Sequence, residues 1–250
     1  MIATVAGATF REAVRSRSFL LLLVLYTVAV GLSRLMGWIS GTDGNIVTAN
    51  VVGSLQSLIG VLVAVATATA LVHNEIQQRT LYTVLSRPLA RWHFVAGKFV
   101  GLLAALGLGQ AVMLLIGLGY LAATGATVHG GMWLAGLLTM LEVWVMAGVG
   151  LMWTTLSSPL LAAVLGLATY ALGHAVHEMP HLVHHLDGWK ATLAIALGSL
   201  VPDLGRFAFR DRAVHGELPL GEDWLAIPYG LLWIAFFLAV STAVFRSKQL

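Results

Sequence analysis

Apolar residues run almost unbroken through six stretches of this chain, at about 19–39, 51–72, 99–124, 131–156, 159–176 and 226–245, and polar residues gather between them. Each stretch is close to the roughly 20 residues a helix needs to cross a hydrocarbon core. Val51 to Val72 and Phe99 to Gly125 carry no formal charge at all. The pattern predicts an all-α, polytopic membrane protein with six transmembrane helices in a single unit spanning residues 1–250.

Two shorter patterns lie outside the spans. Ile2, Val5, Ala6, Phe10, Ala13 and Val14 recur at helical spacing while Arg11, Arg15 and Arg17 take other positions. Over residues 1–18 this predicts a helix lying at the membrane interface, against the plainer alternative of a frayed lead-in to the first span. A signal peptide is disfavoured, because the apolar core starts late and ends in Ser33-Arg34 without a cleavage pattern. Ala191 to Val201 is apolar too briefly to span, so it predicts a short re-entrant or interfacial helix within a long outer loop, 177–225, between the fifth and sixth helices.

Charge fixes an orientation. The polar island from His73 to Lys98 holds Arg79, Arg87, Arg91 and Lys98 against the single acid Glu75, an excess of Lys and Arg that places it on the cytoplasmic side. Both termini then face the cytoplasm, with Arg11, Arg15, Arg17, Arg246 and Lys248 beside them. Arg34, Lys190, Arg206, Arg210 and Arg212 fall outside, the last four in the long loop, where the charge rule is lax. Basic residues beside apolar runs suit anionic lipid, and no basic stripe interleaved with aromatics points to nucleic acid.

Composition agrees with the pattern. Apolar residues make up 58% of the chain and charged residues 10%, where soluble domains carry about 25% charged residues. Mean hydropathy is +0.87. The absence of cysteine removes disulfides, thiolate ligands and cysteine nucleophiles. Trp38, Trp133, Trp189, Trp224 and Tyr229 fall near predicted interfaces and are expected as depth anchors. Small residues at four-residue steps, Gly53 with Ser57, Ala64 with Ala68 and Ala162 with Gly166, are expected to let helices approach closely.

Three groups of residues could carry chemistry. Glu142 lies near the middle of the fourth span, where an acid is costly and faces a cavity or a partner. Gln110 at similar depth, or Arg34 nearer the outer end of the first span, is the expected partner, and a packing role competes evenly with a transport-pathway role. His174, His177, His181, His184 and His185 would share one face of a helix, a donor set suited to copper or zinc, with Met179 or Asp187 in support. The plainer account is an interfacial loop with no ligand. His177-Glu178-Met179-Pro180-His181 has the form H-E-x-x-H, which defines an alternative class, a membrane zinc metalloprotease. Pro180 lacks the N–H that the Val176 carbonyl would accept, which argues against that use. A metal-binding membrane scaffold is the other alternative. Nucleotide chemistry is missing: Gly97-Lys98 is followed by Phe99, and Trp92 stands where a phosphate loop needs its first glycine.

The arrangement Glu75-x3-Arg79-Thr80-Leu81-x3-Leu85-Ser86-Arg87-Pro88-Leu89-x-Arg91, closing on Gly97-Lys98, resembles the loop after the second membrane helix of ABC-2 type permeases. The opening Thr9-Phe10-Arg11-Glu12-Ala13-Val14-Arg15-Ser16-Arg17 with Phe19 to Leu22 resembles the same family, in particular its multicopper-enzyme-maturation branch. The resemblance implies that residues 73–98 are a cytoplasmic coupling loop, with Glu75, Arg79, Thr80, Leu81, Leu85, Ser86, Pro88 and Arg91 engaging an ATPase subunit. It further implies an elbow helix at 1–18, two ATPase subunits that bind ATP and magnesium, and a second permease copy. This chain would hold no cofactor of its own and catalyse no reaction. The setting would be a bacterial-type cytoplasmic membrane, and the acidic outer loop would be available to a periplasmic or extracellular protein.

Overall fold

A computed structural model describes residues 2–39, 44–77, 91–183, 188–189 and 198–247. The chain is helical in the order α1 (Ile2–Arg15), α2 (Arg17–Ile39), α3 (Gly44–Gln77), α4 (Arg91–Ala123), α5 (Gly131–Leu156), α6 (Pro159–Val183), a 3-10 turn at Leu204–Phe207, the single turn α7 (Arg210–Ala213), and α8 (Gly221–Ser247). Among the described residues there is no strand. Among the described residues six helices are long and apolar enough to cross a membrane: α2, α3, α4, α5, α6 and α8. We call the end of the bundle that carries the 78–90 connection the near end, and the other the far end.

Ser16 separates the first two helices. Its hydroxyl accepts the Phe19 N–H at 3.2 Å, an N-cap that starts α2. The amphipathic pattern of α1 is realised: Val5, Ala6, Phe10, Ala13 and Val14 are partly covered while Arg11, Glu12 and Arg15 are exposed. The covered face rests on the near half of α4. The approach there is close enough that a Cβ on Gly101 would collide with the Ala6 carbonyl and lie 2.9 Å from Thr9 Cβ.

The helices differ sharply in what they touch. In α5, 83% of the most apolar window is buried inside the protein, against 22% in α2, 17% in α6 and 22% in α8. Thus α5 is the central post and the others form its wall. Small residues make this possible: Gly150 leaves room for Ala68 and Val65 of α3, Gly148 for Phe237 of α8, and Gly166 of α6 for Val65. Ala64 and Ala68 are wholly buried, as their spacing predicts.

Several helices outrun their predicted spans. The second begins at Gly44 rather than 51, and within its first turn Thr48 turns its hydroxyl back onto the Gly44 carbonyl at 2.7 Å. The fifth runs across Pro180 to Val183, past its expected end at 176. The sixth starts at Gly221, with Glu222 and Asp223 in its first turn, where acids complement the helix dipole.

At the far end the outer loop departs from expectation. Residues 190–197, most of the expected re-entrant stretch, lie outside the described residues. The following segment is the one that turns inward. Leu204, Phe207, Phe209 and Ala213 are almost fully buried. Leu204 abuts Gly173 of α6, Phe207 abuts Gly230 of α8, and Phe209 and Ala213 abut Gly131 at the start of α5. Residues 202–214 therefore form a wedge seated between α5, α6 and α8.

Candidate functional site

The bundle's polar centre is built from four elements. Glu142 lies in α5, about 16 Å from Gly131 and 21 Å from Leu156 at helical rise, and has no exposed surface. Ser57 of α3 donates its hydroxyl hydrogen to Glu142 Oε2 at 2.9 Å. That hydrogen is the only one Ser57 Oγ has, so the Tyr170 hydroxyl, 3.2 Å away in α6, is the donor to Ser57. One turn further along α6, His174 Nε2 faces Glu142 Oε1 at 3.4 Å. From the wedge, Arg210 brings Nη1 to 3.7 Å from Glu142 Oε2, its stem running against Gly53 of α3 with Cδ 3.4 Å from where a Cβ would stand. Asp211, exposed, is 3.9 Å from Arg210 Nε.

These contacts neutralise Glu142 without saturating it. Glu142 Oε1, His174 Nε2 and Arg210 Nε and Nη1 are buried with no hydrogen-bond partner among the described residues. His174 Nδ1 lies 3.3 Å from the Tyr170 carbonyl, which can only accept, so Nδ1 carries a hydrogen and Nε2 is the ring nitrogen turned to the carboxylate, 3.4 Å from Glu142 Oε1. Arg210 approaches the other carboxylate oxygen and leaves this one without a hydrogen bond among the described residues.

The sequence flagged Glu142 but not its surroundings. Gln110 does not reach the acid; it pairs with Gln56, whose Nε2 donates to Gln110 Oε1 at 3.2 Å. Arg34 is bound to Asn45, Nη1 to Oδ1, at 2.9 Å on the exposed rim. Neither expected partner of Glu142 is its partner. The missed residues are Ser57, Tyr170 and Arg210. Ser57 stood only as a small packing residue, although the adjacent polar pair Gln56-Ser57 in mid-span was a usable signal. Arg210 counted as a loose outer cation, although Phe207, Phe209, Ala213 and Val214 around it carry the apolar pattern of a buried turn.

A second polar knot lies further out. His177 Nδ1 and Arg206 Nε both reach Asp203, each at 3.1 Å. The Asp203 backbone N–H donates to the Tyr229 hydroxyl at 2.7 Å, and the Arg206 guanidinium lies 4.9 Å from the Tyr229 ring centre. Tyr229, expected as a depth anchor, instead holds the wedge to α8. Trp38, Trp133, Trp189 and Trp224 are all more than half exposed.

The histidine series divides accordingly. His174 faces Glu142 and His177 faces Asp203. The side chain of His181, with His184 and His185, lies outside the described residues. Among the described residues no three His, Asp or Glu side chains are grouped to hold a metal ion. Of the expected coupling residues, Glu75 and Arg91 fall in the terminal turns of α3 and α4, without described side chains. Arg79, Thr80, Leu81, Leu85, Ser86 and Pro88 lie outside the described residues.

Six membrane-length helices around a polar centre define a multi-pass membrane protein. The family described as ABC-2 family transporter protein matches residues 3–176. The chain belongs to that family, and is thereby a membrane permease of an ABC transporter, a component that pairs with an ABC ATPase subunit. No curated protein matches the chain.

Proposed function

We propose that this chain is the permease subunit through which separate ATPase subunits drive movement across a bacterial-type cytoplasmic membrane, with residues 73–98 as the point of coupling. The observation that supports this best is the reach of two helices at the near end. The uncharged apolar run of α3 ends at Val72 but the helix continues to Gln77, and α4 begins at Arg91, ahead of its uncharged apolar run from Phe99. At helical rise these projections are about 7 and 12 Å long. They flank the basic 78–90 connection, and α1 braces α4 beside them. Force on such a connection is delivered to both helices, and α3 carries Ser57 to the polar centre.

In this reading Glu75, Arg79, Thr80, Leu81, Leu85, Ser86, Pro88 and Arg91 meet the ATPase, two ATPase subunits serve two permease copies, and both termini face the cytoplasm. The resemblance of Thr9 to Arg17 to the maturation branch points to assembly of a copper enzyme as the process served. On the far side Glu217 and Glu222, exposed acids, are open to an extracytoplasmic partner.

The test is affinity purification of the tagged chain from its native membrane, beside an Arg79→Glu, Arg91→Glu variant. An ATPase subunit that accompanies the parent chain and is lost from the variant is the expected result. Its absence from both samples under mild solubilisation would remove the coupling reading.

A further inference from the structure

We propose that Glu142, Ser57, Tyr170 and His174 form a binding site for a cationic head on an apolar stem, an alkylguanidinium or alkylammonium, and that Arg210 occupies this site as a tethered stand-in while the 202–214 wedge is seated.

Four observations lead here. The acid and its neighbours belong to the membrane-length helices α3, α5 and α6, whereas the cation arrives from a separate segment that holds only a 3-10 turn and one turn of helix. Second, Arg210 fits loosely: its Nη1 stays 3.7 Å from the carboxylate, and two of its nitrogens find no hydrogen-bond partner among the described residues. A donor seated more deeply would gain bonds that Arg210 leaves unmade. Third, Glu142 Oε1 and His174 Nε2 lie 3.4 Å apart, and neither has a hydrogen-bond partner among the described residues. An N–H cation placed there gives the carboxylate oxygen a donor. Fourth, space for an apolar stem adjoins the site. The stem would take the place of the Arg210 side chain against Gly53, beside a small cavity of about 40 Å³ lined by Gln56 and Thr139 and by Val52, Leu118, Met132 and Ala135.

The chemistry selects the ligand and couples it to motion. If the wedge lifts, Glu142 is left as a bare acid in a low-dielectric interior, and such a charge is strongly unfavourable without compensation. A cation that takes the place of Arg210 removes that penalty; an uncharged analogue does not. Entry of the ligand and displacement of the wedge are therefore one equilibrium, in which Arg210 competes as a ligand held at high effective concentration. That the cation is cargo rests on the permease reading. Its binding is a property of the isolated chain.

The experiment measures binding of radiolabelled hexylguanidinium, with hexylurea as the uncharged control, to the full chain in zwitterionic nanodiscs without any ATPase. Arg210→Gln is expected to bind at least about tenfold more tightly than the parent, since the internal competitor is gone. Glu142→Gln, and Glu142→Gln with Arg210→Gln, are expected to bind no more than empty nanodiscs, and hexylurea should not compete. A second arm keeps both charges. A Cβ on Gly131 would stand 3.6 Å from Ala213 Cβ, within disulfide range, and the chain has no other cysteine. Gly131→Cys with Ala213→Cys should bind when reduced, lose binding when oxidised, and recover it with reductant. Equal binding by Arg210→Gln and Glu142→Gln, or by none of the variants, or binding indifferent to the disulfide, would overturn the proposal. If the single-charge variants do not fold, the disulfide arm decides: the same binding oxidised and reduced, or no binding in either state, overturns it. Copurification of an ATPase is read separately, so neither failure implies the other.

Discussion

Gln56 and Gln110 face each other across α3 and α4 as a buried amide pair, Nε2 of the first donating to Oε1 of the second at 3.2 Å. Gly60 makes the pair possible, since a Cβ there would strike the Gln110 amide. Both amides are buried, so replacing one member leaves Gln56 only the residue-110 carbonyl at 3.5 Å, or Gln110 only the Met113 sulfur at 3.9 Å. Gln56→Leu or Gln110→Leu should each cost about 1–2 kcal/mol, and the double variant should cost less than the two singles together. Thermal unfolding of all four proteins in nanodiscs checks this. Strict additivity would mean that the two amides do not interact.

Asp223 anchors the far end. It is almost fully buried, its Oδ2 accepts the Leu220 N–H at 2.7 Å, and its other oxygen pairs with Arg212 Nη2. Arg212 is more than a third exposed, so water can replace its share of the pair. Asp223→Ala strips an acceptor from the Leu220 amide as well. We expect it to destabilise by roughly 2 kcal/mol and Arg212→Ala by about half as much or less. The order of the two unfolding temperatures is the readout, and the reverse order would contradict the assignment.

Gly101 is expected to govern the seating of α1. Its missing Cβ admits the Ala6 backbone, and valine there has no flexible neighbour to displace. Gly101→Val should release α1 from α4 while the six spans stay folded, a cost of roughly 1–3 kcal/mol confined to that contact. Faster protease cleavage after Arg11 or Arg15, with unchanged cleavage elsewhere, would report it. If α1 is part of the coupling apparatus, ATPase copurification should fall in the same variant.

The membrane-length helices were legible because hydrocarbon imposes a length and excludes charge, so runs such as Phe99 to Gly125 announce themselves. Their ends were not. Thr48 and the acids of α8's first turn are polar, yet they satisfy themselves locally and let the helix continue. Glu142 was legible as an outlier in mid-span. Its partners were hidden, since pairing depends on which helices touch, and nothing in the spacing of Gln110 or Arg34 says that they face Gln56 and Asn45 respectively. Arg210 was hidden most thoroughly. Hydropathy reads residues 202–214 as a polar loop, whereas packing sorts Phe207, Phe209 and Ala213 inward and carries the arginine with them.

The separation of Glu142 from Arg210 along the chain sets an order of assembly. Arg210 follows Glu142 by 68 residues. At a synthesis rate of about 5–20 residues per second, the acid waits roughly 3–14 seconds before its cation exists. During that interval α5 has no counter-charge and only Ser57 to bond its carboxylate. A nascent chain paused or cut between α6 and the wedge would display an uncompensated acid within the bilayer, a mark by which membrane quality control could tell an unfinished copy from a finished one. The wedge, which follows five of the six membrane-length helices, is thus the part that certifies them.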